Sequence, residues 1–201
     1  MLRFVVRSVW RLRRESASLF RWICYVLLRG TFFRSVGRGT RFFGRVRFGS
    51  VEGNIRLGRN CLIGHEVFLS ATRGVAIDIG SDCGLNTGCH LVASYGITIG
   101  VNTHLGEYCS IRDQNHRFDS ARTPIKDQGF SGASIRIGED VWLGRGVFVG
   151  PGVEIGDGAV IGANSVVTRN IPPYVVAVGA PAKVIRTRDA RNVAHEEGSL
   201  L

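Results

Sequence analysis

The sequence predicts an all-β chain wound as a three-sided parallel β-helix, and three regularities support this. Aliphatic residues recur at six-residue spacing: Leu57, Ile63, Leu69; Ile79, Leu85, Leu91; Ile99, Leu105, Ile111; Ile137, Leu143, Val149; Ile155, Ile161, Val167. Glycine follows ten of these fifteen residues, so tight turns are expected at a fixed phase. The step of six breaks only after Leu69, Leu91 and Ile111, each time closing a set of three. Three hexads therefore make one coil, and all insertions leave from one corner. Five coils, with a partial one beginning near Phe48 or Val51, would bury a continuous aliphatic ladder.

Within each hexad the residue two before the aliphatic shares its side of the strand. Small side chains stand there, among them Cys61, Cys83, Cys89, Thr103, Cys109 and Ala159. Cysteine in such a place acts as a small hydrophobe. Neither a CxxC pair nor a zinc-type Cys/His spacing occurs, so a reduced, cytoplasmic protein without a metal site is expected. The 27 glycines fall neither every third residue, as in collagen, nor in a linker-like run, because aliphatics separate them.

Charge divides the chain. Residues 1–50 carry twelve arginines against Glu15 alone, or +11, while residues 51–201 sum to −1. A nucleic-acid binder would carry its basic charge on the folded body, so no nucleic-acid partner is expected. In the head, Arg3, Arg7, Arg11 and Arg14 recur at helical spacing beside an apolar face of Leu2, Val5, Val6, Val9 and Leu12. The apolar run Trp22–Leu28 has seven residues, where a spanning helix needs about 20. The head reads either as a helix lying on an anionic leaflet, at the inner face of the cell membrane, or as a helical cap on the body or a neighbouring subunit.

The hexad rule is broken informatively. On the first two sides of every coil the residue after the aliphatic is glycine, except at Asn86. Asparagine tolerates a left-handed turn, but a polar side chain at a corner can also hold a ligand. The longest insertion, residues 112–134, has the length of a functional loop. His116 stands where the chain leaves the coil, a place for a general base or for a solvated loop histidine. His90 and His104 precede inward aliphatics and so point outward, His65 lies in a turn and His195 in the polar tail. His90 is kept as a substrate contact.

From Ile97 to Arg186 the chain resembles the hexapeptide-repeat acyltransferases, in particular the maltose/galactoside O-acetyltransferases, the xenobiotic acetyltransferases and the polysaccharide O-acetyltransferases. The resemblance is carried by Asn115-His116 followed by Asp119 and Pro124, by IGEDVWLGRGVFVGPGVEIGDGAVIGANSVV from Ile137 to Val167, and by NIPPYVVAVGAPAKVIR from Asn170 to Arg186. It implies a left-handed β-helix, a homotrimer with sites between prisms, and acetyl-CoA as acyl donor. It also implies His116 as the base and Asn86 as the asparagine that helps hold the acceptor. Trp142, Gly144, Arg145, Gly162, Ala163, Lys183 and Arg186 are implied at the cofactor, with the Arg145 N–H as oxyanion donor and the two last cations at the CoA phosphates. Asp113, Asn115, Asp119 and His90 are expected on the acceptor side.

The expected division is therefore a basic amphipathic helical head over 1–44, a β-helix acyltransferase domain over 45–186, and a polar tail over 187–201. The expected activity is acetyl-CoA-dependent O-acetylation of a sugar hydroxyl, in the service of surface polysaccharide synthesis. N-acetylation of an amino sugar or a small antibiotic-like molecule would use the same base and cofactor, and a membrane-docked scaffold is the non-enzymatic alternative.

Overall fold

A computed structural model describes residues 32–50 and 54–188, together with the helical residues Ser16, Ser18, Phe20, Arg21, Ile23 and Cys24. The Leu2–Leu12 face, most of the Trp22–Leu28 run and the tail beyond Arg188 lie outside the described residues. Three parallel sheets form the faces of a prism. The first face runs from Ser35–Val36 to Glu154–Ile155, and the third from Val46–Phe48 to Val166–Val167, with six strands each. The second begins at Arg41–Phe42 and reaches Val160–Ile161, then gains Val175–Val178 and the antiparallel strand Lys183–Thr187. All fifteen hexad aliphatics are buried, and registers such as Leu85↔Leu105 and Leu105↔Leu143 stack them in columns.

The glycines serve a purpose other than the one expected. None of the ten that follow an aliphatic has positive φ; the left-handed residue comes two positions later, at Asn60, Asp82, Asn102, Asp140 and Asn164 among others. What requires glycine is close approach of the next coil. A Cβ on Gly100 would lie 2.6 Å from the carbonyl carbon of Gly138, and one on Gly106 2.6 Å from the backbone nitrogen of Arg145. Asn86, which interrupts one such column, has an ordinary negative φ, so left-handed geometry does not explain it. Its backbone ladder bond to Leu105 is 3.1 Å, against 2.7 Å for both Gly64 and Gly106 in the same column.

The small inward residues do more than fill space. Cys83 Sγ donates to the Gly100 carbonyl at 3.1 Å, Cys89 to Gly106 at 3.1 Å, and Cys109 to Gly144 at 3.1 Å. Thr103 Oγ1 donates to Gly138 in the same manner at 2.8 Å. Each is a short polar cap on the corner carbonyl of the following coil, whereas Val141, Val147, Val153 and Ala159 fill the same position in the later coils without a donor.

The prism starts earlier than residue 45. Val36, Phe42 and Phe48 continue the step of six, and Phe42 is fully buried, so Ser35–Phe48 make a complete first coil. Two of its inward positions are aromatic, which hid it among the aliphatic hexads. The helical residues lie over this coil: Phe42 N–H donates to Ser18 Oγ at 3.1 Å, and Arg21 Nε donates to the Phe42 carbonyl at 2.8 Å. These bonds satisfy the outer edge of a terminal strand, which would otherwise be open to pairing with another chain. At the other end Arg188 remains attached, through Asp140 at 2.8 Å and the Gly158 carbonyl at 3.0 Å.

Two expectations follow from this packing. Gly100→Ala should destabilise the fold by about 1–3 kcal/mol, because backbone on both sides of the corner has to part; chemical denaturation measures it. Burial pushes the Cys83 thiol up to about 11 from an ordinary 9.0. The unfolded chain then loses its proton first, so the contribution is intact below pH 9.0 and is lost as pH rises through about 11. The fall in thermal midpoint across that window should be shallower in Cys83→Ala.

Candidate functional site

The insertion after Ile111 carries structure of its own. Gln114–His116 pairs antiparallel with Phe130–Gly132, placing His116 opposite Phe130, and a short 3-10 turn, Ile125–Asp127, lies between the strands. The imidazole packs on the Phe130 ring with centroids 4.3 Å apart and planes tilted by 40°. It is exposed and engages no hydrogen-bonding side chain among the described residues. An oriented ring with a free nitrogen is what proton abstraction needs. Phe130 was not evident in the sequence, because only the hairpin register brings it to His116.

Asp113 sits differently from the acceptor-side place expected of it. It is fully buried, and its carboxylate accepts from the backbone N–H groups of Ser94 (2.8 and 3.0 Å), Tyr95 (2.7 Å) and Gly96 (2.7 Å). With both oxygens bound by this turn, Asp113 fastens the root of the hairpin and presents nothing outward. Asn115 and Asp119 are exposed, and Asp119 faces Arg117 Nε at 3.3 Å. His90 is also exposed, on the third face, with its ring 5.2 Å from that of Phe68.

Asn86 is exposed at the corner between the second and third faces. Its Nδ2 donates to the Leu105 carbonyl at 3.0 Å, which fixes the amide and leaves its oxygen for a ligand. The same corner carries Gly144-Arg145 and Gly162-Ala163 on successive coils. The backbone N–H groups of Arg145 and Ala163 donate to nothing among the described residues. The Arg145 guanidinium lies 5.6 Å over the Tyr108 ring, a second contact that the spacing did not disclose. Trp142, 57 % exposed, follows His104 in an outward column on the second face that continues through Val160 and Val176 to Arg186. Lys183 and Arg186 are exposed on the closing strand.

The turn before that strand, which has a cis peptide at Ala180-Pro181, is tied to the last coil. Gly179 N–H donates to Ser165 Oγ at 3.0 Å, and Ala182 N–H to the Val166 carbonyl at 2.9 Å. The structure thus gathers Trp142, Gly144, Arg145, Gly162, Ala163, Lys183 and Arg186 along one strip of the second face. His116 departs from the opposite edge of the third face, so within one prism it does not meet that strip.

Residues 134–169 match the family model described as bacterial transferase hexapeptide (six repeats). A probable acetyltransferase of Mycobacterium tuberculosis is 35 % identical over 184 residues, covering 89 % of this chain and 56 % of the relative. The chain therefore spans about half the length of that curated relative. Among solved structures, a maltose O-acetyltransferase from Clostridium difficile is 31 % identical, covering 81 % of this chain and 73 % of its own, with a TM-score of 0.55. A galactoside acetyltransferase in complex with coenzyme A is 29 % identical over 79 % of this chain and 67 % of its own, also at 0.55. A variant of an N-acyltransferase from Bacillus cereus, in complex with dTDP-4-amino-4,6-dideoxyglucose and coenzyme A, shares the fold. Its TM-score is 0.69 at 21 % identity, over 85 % of this chain and 91 % of its own.

The Asp113 clamp has a measurable signature. Asp113→Ala leaves three amides without their acceptor, a cost of about 1–3 kcal/mol. Hydrogen exchange of the Tyr95 and Gly96 amides should accelerate accordingly, while amides of the neighbouring Ile97–Ile99 strand keep their protection.

Proposed function

Since the chain belongs to the hexapeptide-repeat acyltransferases, we propose that it transfers an acetyl group from acetyl-CoA to a sugar hydroxyl with His116 as general base. The reading rests above all on the strip from Trp142 to Arg186, where unpaired backbone N–H groups, corner glycines and terminal cations follow one another along the prism. That order suits an extended thioester cofactor. The Arg145 and Ala163 amides meet its carbonyl groups, and Lys183 and Arg186 meet its phosphates. Coenzyme A in the related galactoside enzyme supports the donor.

A sugar hydroxyl is a weak nucleophile and needs a base. His116 takes the hydroxyl proton as the oxygen attacks the thioester carbon. The Arg145 N–H receives the developing oxyanion, the C–S bond breaks, and the imidazolium returns its proton to the departing thiolate. Asn86, with its amide held by Leu105, orients the acceptor. Asn115, Asp119 and His90 contact it, while Asp113 acts on the hairpin from within. Because His116 and the cofactor strip belong to different edges of one prism, the site is completed between copies, which fits a homotrimer. Hydroxyl acylation is favoured over amine acylation because the two O-acetyltransferase-type neighbours are closer in sequence, at 31 % and 29 %, than the N-acyltransferase at 21 %.

Calorimetric titration of the full chain with acetyl-CoA should show about one site per chain, and Lys183→Glu with Arg186→Glu should weaken it at least about tenfold. His116→Ala should leave that affinity unchanged and lower acetyl transfer to sugar acceptors by about a hundredfold or more. Absence of binding at millimolar cofactor would overturn the donor assignment. Undiminished transfer in His116→Ala would overturn the base, and transfer confined to amino sugars would replace the acceptor.

A further inference from the structure

We propose that the first-coil end of the prism is a docking surface for an anionic lipid bilayer, which it meets end-on. The first coil, residues 32–50, contains Arg34, Arg38, Arg41, Arg45 and Arg47 and no acid. All five are exposed, spread around the three faces and the turns between them. One faces a carboxylate among the described residues, Arg47 at 3.8 Å from Glu66, and both partners of that pair are themselves exposed. At the far end the charge is closer to balance: residues 135–188 hold Arg136, Arg145, Arg169, Lys183, Arg186 and Arg188 against Glu139, Asp140, Glu154 and Asp157. Positive charge without nearby acid is therefore concentrated at the first coil, and an anionic plane attracts that end of the prism most strongly.

The helical residues across this end supply the second observation. Ser18 and Arg21 face the prism through their bonds to Phe42. Phe20 and Ile23 point roughly 160° away from that side at 3.6 residues per turn, and they are 68 % and 40 % exposed. An aromatic and an aliphatic side chain directed outward, above a ring of arginines, match the headgroup and acyl boundary of a membrane. Phosphate neutralisation alone would leave Phe20 and Ile23 in water, which disfavours a nucleic acid, and a second copy would bring like charge against like.

Among the described residues no helix is long and apolar enough to cross a membrane. Three coil steps, about 14 Å, separate this end from the coil that carries His116. An end-on orientation thus keeps the hairpin in water above the headgroups.

Flotation of the full chain with vesicles tests this. At low salt the protein should partition onto phosphatidylcholine vesicles containing about 30 % phosphatidylglycerol and bind pure phosphatidylcholine at least about tenfold more weakly. Arg38→Glu, Arg41→Glu and Arg45→Glu together should lower binding about a hundredfold. Phe20→Ser with Ile23→Ser, which keeps every arginine, should lower it about tenfold. Failure of the natural chain to bind anionic vesicles would overturn the assignment, as would binding that survives the charge reversal. Retention of duplex DNA by a chain that ignores the vesicles would assign the surface to nucleic acid instead.

Discussion

The structure depends on how closely one coil approaches the next at the corners of the prism. Parallel strands in adjacent coils stand about 4.8 Å apart, and at the corners the backbones meet with no room for a Cβ, as Gly100 against Gly138 shows. That proximity lets Cys83, Cys89, Thr103 and Cys109 reach a carbonyl of the following coil with one short side chain. It also holds the inward columns in register, so that burial of each aliphatic is completed by the coils above and below it.

A scaffold this regular leaves function to its exceptions. The second-face corner would be uniform glycine from Gly64 to Gly162 but for Asn86, whose amide is pinned to the neighbouring coil instead of turning freely. The long insertion at the third corner folds back as a hairpin because Asp113, at its base, gathers three amides of the preceding insertion. Position is thus passed from the solenoid to His116 through one buried carboxylate and one antiparallel register. The strip on the second face needs no such device, since its free amides belong to the backbone of the coils themselves.

The two ends of the prism solve the same problem by different means. An open solenoid end exposes unpaired backbone and apolar core. At the last coil, the strand Lys183–Thr187 folds back antiparallel and seals the second face, placing two cations beside the strip. At the first coil, Ser18 and Arg21 take the open hydrogen bonds of Phe42, and the arginines around them make that end basic. Capping and surface chemistry are set by the same residues.

The step of six determined a great deal without a structure: three faces, the inward columns, the single corner from which insertions leave, and the outward direction of His90 and His104. These are local properties, fixed by strand alternation and turn length. Tertiary structure decided what depends on residues far apart in the chain. Glycine at the corners is required by the backbone of the next coil, as far along the chain as Gly138 is from Gly100, and not by its own φ. Phe42 belongs to the core, with helical residues bonded to its backbone, and Phe48 packs against that core, which aliphatic counting could not reveal. Asp113 turns inward because Ser94, Tyr95 and Gly96 present three N–H groups from the neighbouring insertion. Spacing could bring His116 to the prism surface, but its orientation against Phe130 follows from hydrogen-bond register within the loop, where no period exists to be read.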